Sequence, residues 1–168
     1  VLFGANGAAS QLGIGSVVLD CSTIAPATAQ HCAERLARQN VHYMDAPVTG
    51  GTEGAKRGSL TVLVGGASEP LERVRPILEV IGGSIHHFGD VGRGQQVKAV
   101  NQVLVAGSYA AVAEAVALGQ RLELPMPQVI DALKNGAAGS WALDHRSIAM
   151  LEGSYPLGFR LSLHRKDL

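Results

Sequence analysis

The first half of the chain alternates short apolar runs with amphipathic runs, and no other feature restricts its fold as strongly. Four runs rich in β-branched and aliphatic residues have the length of buried strands. Strands that alternate with helices are typical of a parallel or mixed sheet covered by helices. The predicted strands lie at residues 16–22, 41–48, 60–66 and 84–89.

Two helices are predicted between these strands. The first occupies residues 25–40, where Pro26 suits an opening turn. The second occupies residues 68–82, with Ser68 as its predicted N-cap. The side chains predicted on the buried faces are Cys32, Ala33, Leu36 and Ala37 in the first helix, and Leu71, Val74, Leu78 and Ile81 in the second.

The pattern changes near residues 89–95. From residue 95 to residue 122 there is no proline, charged residues are few, and Ala, Val and Leu dominate. We expect one long helix there, buried on most sides and longer than the average of about 11–12 residues. A second helix is predicted from Pro127 to Gly136, and a third between Ser140 and Gly153. The predicted fold class is therefore α/β followed by all-α.

The charge balance restricts the partners. The chain has 168 residues, and its 14 basic side chains balance its 14 acidic ones. This balance gives no electrostatic footprint for nucleic acid or for an anionic membrane, and the apolar runs are expected to be too short or too interrupted to cross a bilayer. The two cysteines, Cys21 and Cys32, do not make a disulfide framework, so reduced thiols and a cytoplasmic location are expected.

A metal site is not predicted. His86 and His87 are adjacent in a predicted strand, so their rings point to opposite faces of the sheet. No cluster of cysteines or carboxylates in the sequence completes a ligand set. We therefore expect no metal.

The segment DAPVTGG, residues 45–51, interrupts an apolar strand with a proline, a hydroxyl and two glycines. Thr49, Gly50 and Gly51 offer one hydroxyl and successive backbone N–H groups, which can form an anion-binding nest. Ligands of open α/β sheets bind just beyond the ends of strands. The alternative interpretation is a flexible turn.

Lys98 is a cation within the apolar part of the predicted long helix. Asn101 and Gln102 follow it at a spacing of three and four residues, which places all three on adjacent turns of one face. A lysine that faces a cavity has a lowered pKa, which suits acid–base chemistry. The alternative is a lysine whose amine reaches past the apolar face into water.

Two further segments carry weaker signals. Ser22 and Thr23 follow the first predicted strand, where they could cap the next helix or contact a nucleotide at the edge of the sheet. Lys166 lies near the end of the chain, where the simplest interpretation is a solvated helix face. The fingerprint G-x-G-x-x-G follows none of the predicted strands, and the glycine-rich residues 4–13 are a weak match to it.

Four segments taken together resemble the β-hydroxyacid dehydrogenases. This family includes 3-hydroxyisobutyrate dehydrogenase, tartronate semialdehyde (2-hydroxy-3-oxopropionate) reductase and, more distantly, 6-phosphogluconate dehydrogenase. The segments stand in the order and spacing of the family, and they are DCSTIAP, DAPVTGGTEGA, GRGQQVKAVNQ and GFRLSLHRKDL.

The resemblance implies a Rossmann-type NAD(P)-binding domain followed by a helical domain built on one long interdomain helix. The expected bounds are 1–93 for the C-terminal part of the first domain and 94–168 for an incomplete second domain. The first βαβ unit, with its glycine fingerprint, has no counterpart in the chain, so the resemblance implies a fragment.

The resemblance also implies roles for single residues. Lys98 matches the catalytic lysine, with Asn101 or Gln102 as its neighbouring amide. The expected substrate-carboxylate segment is Thr49, Gly50 and Gly51. The expected cofactor contacts are Thr23 and Lys166.

The expected activity is hydride transfer between NAD or NADP and a small β-hydroxy acid or its semialdehyde, with Lys98 as general acid and base. Two alternatives stay open, an imine reductase of the same architecture and a non-catalytic dimeric interaction module. The long, nearly uncharged helix also predicts a homo-oligomer, a dimer or a tetramer.

Overall fold

The computed structural model describes residues 1–155 and 159–168. Gly158, which opens the segment GFRLSLHRKDL, lies outside them. The chain divides into two compact units, one formed by Val1–Asn101 with Asp167 and the other by Gln102–Lys166 with Leu168. The division falls inside one long helix, and the domain bounds 1–93 and 94–168 stay a prediction.

The first unit contains the strands, and their alternation with helices confirms the predicted α/β class. After a short 3-10 turn at Ala8–Gln11, β1 and β2 form a parallel pair, and β3, β4 and β5 form a second sheet in that order. The strands are β1 (Val17–Asp20), β2 (His42–Asp45), β3 (Val48–Thr49), β4 (Leu60–Val64) and β5 (Gly82–His87). The helices of this unit are α1 (Pro26–Ala37), α2 (Gly51–Lys56) and α3 (Ser68–Ile81).

The second sheet is mixed, because β3 runs antiparallel to β4 and β5 runs parallel to it. An isolated antiparallel bridge between Asp45 and Gly65 connects β2 to the end of β4. One core cluster lies between these strands and α3, and it consists of Met44, Ala46, Val62, Val64, Leu71, Val74 and Leu78. The apolar positions predicted for α3 are therefore confirmed, with Ile81 partly buried beside the cluster.

Two details of the helix predictions are wrong. In α1 the fully buried residues are Ala29 and Leu36, Cys32 and Ala33 are partly buried, and Ala37 is exposed. Ala29 and Leu36 are seven residues apart, so they lie on one stripe of the helix. Ala37 lies outside that stripe. In α3 the N-cap is Ala67, and Ser68 is the first helical residue.

The long helix α4 (Arg93–Arg121) exists as predicted, but it is not buried on most sides. Val100, Val103 and Leu104 expose 62%, 61% and 68% of their surfaces. By length and composition α4 is also apolar enough to cross a bilayer, contrary to the expectation from the interrupted apolar runs. That property alone is weak evidence, because long central helices of soluble proteins share it.

The second unit is helical, as predicted. It contains α5 (Met126–Leu133), α6 (Trp141–Glu152) and, at the end of the described chain, residues 161–166 of α7 (Leu161–Asp167). Ser140 caps α6 by accepting a hydrogen bond from the Leu143 N–H at 3.1 Å, and Gly153 ends it in the left-handed conformation. The core of this unit consists of Val112, Val116, Met126, Ile130, Ala142 and Leu143.

Candidate functional site

The carboxyl end of β1 leads into a loop, residues 21–25, that we call the β1–α1 loop. Asp20 organises its start, because one carboxylate oxygen accepts the Ser22 N–H at 2.9 Å and the other accepts the Tyr43 hydroxyl at 2.8 Å. Burial and the bond to Asp20 raise the pKa of Tyr43, so the phenol stays protonated. The loop therefore begins from a fixed carboxylate at the edge of the parallel pair.

The side chain of Gln95 holds the middle of the β1–α1 loop. Its Oε1 accepts the Ile24 N–H at 3.1 Å, and its Nε2 donates to the Ser22 carbonyl oxygen at 2.8 Å. Thr23, the predicted cofactor contact, is partly buried between these two anchored residues. The N-cap of α1 is Ala25, so the alternative interpretation of Ser22 and Thr23 as helix caps is wrong.

Asp45, the last residue of β2, holds the first turn of α4. Its carboxylate is fully buried and accepts the Gly92 N–H at 2.7 Å and the Gln95 N–H at 2.8 Å. Helices leave their first backbone N–H groups without partners, and a carboxylate near them also interacts favourably with the helix dipole. Burial raises the pKa of Asp45, and the two backbone donors oppose that increase.

Gly94 lets α4 approach the strands this closely. A side-chain carbon at this position would lie 2.8 Å from an Asp45 carboxylate oxygen and 3.0 Å from the Gly65 nitrogen, as well as against the Leu63 carbonyl oxygen. The start of α4 is thus packed against rigid backbone, and its position is defined by the end of β2 and the end of β4.

The predicted substrate segment follows β2 by a few residues. Val48 and Thr49 pair with β4, and Gly50 and Gly51 both have positive φ, at 126° and 63°. The segment leads directly into a helix that the sequence did not predict, because the six-residue helix α2 starts at Gly51. The glycines therefore make a sharp, defined exit from β3.

Lys98 lies against this segment. Its Nζ donates to the Val48 carbonyl oxygen at 2.8 Å, and only 8% of the residue is exposed. The alternative in which the amine reaches into water is therefore wrong. Burial lowers the pKa of Lys98, and the Asp167 carboxylate opposes that shift. A buried amine with a lowered pKa gives up its proton to a bound oxygen more readily than an exposed lysine does.

The two amides after Lys98 differ in burial. Gln102 lies four residues after the lysine on the same buried stripe, whereas Asn101 is partly buried. The carbonyl oxygen of Gln102 lies 3.3 Å from His164 Nε2. Lys166, the other predicted cofactor contact, is exposed on α7.

Asp45 and Gln95 hold this region together, and the sequence did not single them out. Both lie within segments already noted, DAPVTGG and GRGQQVKAVNQ. The available signal was a carboxylate at the end of a buried strand and an amide at a helix start next to two glycines. Neither signal identifies the hydrogen-bond partner, because the two contacts join residues that are 47 and 50 positions apart in the sequence.

The region contains no obvious metal ligand set. Within residues 1–155 and 159–168, no three His, Cys, Asp or Glu residues are grouped so that they could hold a metal ion. His87 Nε2 bonds the Gly66 carbonyl oxygen at 2.7 Å, and His86 Nε2 lies 2.7 Å from the Ser84 hydroxyl. Both cysteines are free thiols.

Comparison with known proteins places the chain in a family. Residues 1–89 match the NAD binding domain of 6-phosphogluconate dehydrogenase, and residues 92–168 match the NAD-binding domain of NADP-dependent 3-hydroxyisobutyrate dehydrogenase. This chain belongs to the β-hydroxyacid dehydrogenase family. Both matched models describe NAD-binding domains. These matches confirm the cofactor class expected from the sequence, NAD or NADP.

Similar dehydrogenases include 3-hydroxyisobutyrate dehydrogenase of Pseudomonas aeruginosa, 40% identical over 159 residues, and 2-hydroxy-3-oxopropionate reductase of Escherichia coli, 36% identical over 168 residues. The matches cover 90% and 100% of this chain but 53% and 58% of those proteins. A solved structure described as Psf3 in complex with NADP+ and 2-OPP matches 98% of this chain and 58% of its own, with a TM-score of 0.91 and 29% identity. The chain thus spans just over half the length of its relatives.

The described residues fit a dinucleotide at the edge of β1 and β2. The strands are parallel, so their carboxyl ends open on one edge, where α/β folds bind nucleotides. The β1–α1 loop at that edge is held by Asp20 and Gln95 rather than by caps of its own. The loop carries hydroxyl and backbone groups and no cluster of metal ligands among the described residues, which suits a sugar–phosphate better than a metal ion.

Proposed function

We propose that the protein acts as an NAD(P)-dependent dehydrogenase that interconverts a small β-hydroxy acid and the corresponding semialdehyde. The observation that carries the proposal is the 2.8 Å contact between Lys98 Nζ and the Val48 carbonyl oxygen, next to the 49–51 segment. It brings a buried cation beside a hydroxyl and two glycines, the groups needed by an acid substrate. The similarity to 3-hydroxyisobutyrate dehydrogenase and 2-hydroxy-3-oxopropionate reductase supports the substrate class.

Lys98 is the proposed general acid and base. In the reductive direction a carbonyl oxygen gains negative charge, and the ammonium group donates a proton to it. In the oxidative direction the neutral amine accepts the proton of the hydroxyl. Burial favours this exchange, because desolvation brings the two protonation states of the amine closer in free energy.

Thr49, Gly50 and Gly51 are the proposed carboxylate-binding residues. The Thr49 hydroxyl can donate one hydrogen bond, and glycines allow a close approach to backbone N–H groups. A carboxylate held here would lie next to the backbone group that Lys98 contacts. The carbonyl group of the same substrate would then lie within reach of the Lys98 amine, and no further charged residue would be needed to position it.

Thr23 and Lys166 are the proposed cofactor contacts, and NAD or NADP supplies the hydride when it is bound. Thr23 lies in the β1–α1 loop at the edge where nucleotides bind. A lysine such as Lys166 suits phosphate or carboxylate oxygens. Asn101 and Gln102 are the proposed amides that orient the lysine and the substrate, and the greater burial of Gln102 favours it as the residue nearer to Lys98 on the helix face.

The exposed side of α4 supports a homo-oligomer. The exposed apolar surface of α4 includes Val100, Val103 and Leu104. In a single chain this surface contacts water. A second copy of the chain would remove that surface from water. A cytoplasmic location, and partners limited to small molecules and further copies of the chain, complete the proposal.

The test is a substrate panel with both reduced cofactors. Purified protein is incubated with NADH or NADPH and a set of small semialdehyde acids, the same semialdehydes without the carboxylate, and cyclic imines, and cofactor absorbance is followed. The proposal expects turnover only with the carboxylate-bearing aldehydes. Turnover of imines alone would support an imine reductase, and binding of either cofactor without any turnover would support a non-catalytic module.

A further inference from the structure

We propose that Gln95 is a positioning residue that fixes the β1–α1 loop, and with it Thr23, to the helix that carries Lys98. The inference rests on the proposed function, because it assigns the loop a cofactor contact. Both ends of the Gln95 amide are bonded to the loop, so the residue is assigned no contact of its own with substrate or cofactor. It acts through the backbone of the residues on each side of Thr23.

The hydrogen bonds of Gln95 connect three parts of the fold. The side chain accepts from the Ile24 N–H, donates to the Ser22 carbonyl oxygen, and is 1% exposed. The backbone N–H of the same residue donates to Asp45. One residue therefore joins the end of β2, the start of α4 and the β1–α1 loop.

Only a primary amide of this length satisfies the loop. The two partners are a backbone donor and a backbone acceptor that flank Thr23, so the side chain must offer an acceptor and a donor together. A carboxylate cannot donate, an ammonium group cannot accept, and asparagine is shorter by one methylene. An aliphatic residue would leave both backbone groups, which are partly buried, without these partners.

The position of Gln95 on α4 gives the contact its consequence. Gln95, Lys98 and Gln102 are separated by three and four residues, and all are buried, so they form one stripe of the helix. A loop fixed to Gln95 is therefore fixed relative to the backbone of Lys98, one turn away. The amide holds Thr23 in register with the lysine, so a cofactor contact made by Thr23 is aligned with the reacting group.

The first measurement is hydrogen exchange at the Ile24 amide, which is independent of activity. The variants are Gln95→Leu and Gln95→Glu, with Gln96→Leu and Gln96→Glu as matched controls on an exposed neighbour. We expect exchange at Ile24 to become at least tenfold faster in Gln95→Leu at neutral pH and to be unchanged in the controls. Gln95→Glu keeps an oxygen that accepts the Ile24 N–H, so Ile24 should exchange more slowly in it than in Gln95→Leu. Equal exchange in Gln95→Leu and Gln96→Leu would overturn the proposed anchor.

The second measurement is the dissociation constant of NAD+ and NADP+, followed from pH 8 to pH 5. The constant should rise at least tenfold in Gln95→Leu and Gln95→Glu at pH 8. In Gln95→Glu it should recover as the pH falls, because a protonated carboxyl regains the donor that Ser22 needs. A general loss of packing would not recover in this way, and a constant unchanged from wild type in both variants would overturn the positioning role.

The two measurements also distinguish this inference from the proposed function. Full-length wild-type protein that binds neither dinucleotide would contradict the proposed function, and the exchange rates would then decide the anchor alone. Wild-type protein that binds a dinucleotide, with Gln95 variants that bind it equally well, would overturn the positioning role and leave the dehydrogenase proposal intact. Thermal unfolding of each variant identifies any that fail to fold, and Gln95→Glu is the variant closest in shape to the native residue.

Discussion

The amine of Lys98 lies 2.8 Å from the carbonyl oxygen of Val48, so α4 is fastened to β3 one residue before Thr49. This contact brings together two sequence segments that are 50 residues apart. It makes the lysine part of the same rigid structure as the glycines that end β3.

Replacing Lys98 by Met should abolish turnover and leave cofactor binding in place. Methionine is an unbranched side chain only one atom shorter than lysine and has no proton to exchange, and general acid–base groups contribute about 10²–10⁴-fold to rate. The measurement is kcat for semialdehyde reduction. Lys56→Met is the matched control, because Lys56 is an exposed residue of α2. A rate within tenfold of wild type would remove Lys98 from the mechanism.

The rate of the oxidative reaction should rise with pH and should level off at a pH below the pKa of an ordinary lysine, which is about 10.4. The neutral amine is the base in this direction, and burial lowers the pKa of Lys98. Asp167→Asn should move the inflection of kcat/KM to still lower pH, because the Asp167 carboxylate opposes the shift. An inflection that moves upward in this variant would contradict the assignment.

The same shift gives a stability signature. Because the folded pKa of Lys98 is lower than the unfolded one, the unfolded chain binds more protons between the two values. The free energy of unfolding should therefore rise with pH across that window and be lower below it. Urea denaturation at several pH values measures this slope, and Lys98→Met should lack it. Parallel pH profiles for the two proteins would show that the amine is not desolvated.

Thr49→Val should raise the KM for the acid substrate, with a smaller effect on kcat. Valine has nearly the shape of threonine and lacks the hydroxyl that the proposed carboxylate contact requires. Loss of one hydrogen bond to a charged group corresponds to about 1.5–3 kcal/mol, or roughly 10- to 150-fold. Thr52→Val, on the exposed surface of α2, is the control. An unchanged KM would retire the carboxylate role of Thr49.

Gly50→Ala should destabilise the fold more than Gly51→Ala. Gly51 has φ of 63° with open space around it among the described atoms, so alanine there meets only the left-handed penalty of about 1–2 kcal/mol. Gly50 has φ of 126°, and an added carbon would also lie 3.2 Å from Leu60 Cδ2. The measurement is the free energy of unfolding in urea. The reverse order would mean that the exit from β3 is not the one described.

Asp45→Asn should destabilise the protein by about 1–3 kcal/mol, because the new amide group faces a backbone donor where an oxygen accepted one. The loss should be accompanied by faster hydrogen exchange at Gly92 and Gln95. Asp131→Asn is the control, since Asp131 belongs to an exposed pair with Lys134 that contributes little. Equal stability of the two variants would show that Asp45 does not hold α4.

The sequence predicted what depends on local pattern. β-branched runs located the strands, and the spacing of Leu71, Val74 and Leu78 located the buried face of α3, because each depends only on neighbouring residues. Ser140 and Gly153 marked the ends of α6 for the same reason. Capping and periodicity are readable wherever the partner is within a few residues.

The sequence did not predict what depends on distant partners. Asp45 holds Gly92 and Gln95, and no local pattern encodes a contact across that distance. The exposure of Val100 and Leu104 was also missed, because an apolar helix does not state how much of its surface the rest of the chain covers. The short helix α2 was not predicted, because it starts at glycines, which are typical of turns.

The space at Gly94 limits how the chain can diverge. Any side chain there meets backbone atoms of two strands and the Asp45 carboxylate, so a mutation would displace the start of α4 and, with it, Gln95 and Lys98. A single substitution at Gly94 would thus disturb the loop contact of Gln95 and the strand contact of Lys98 at once.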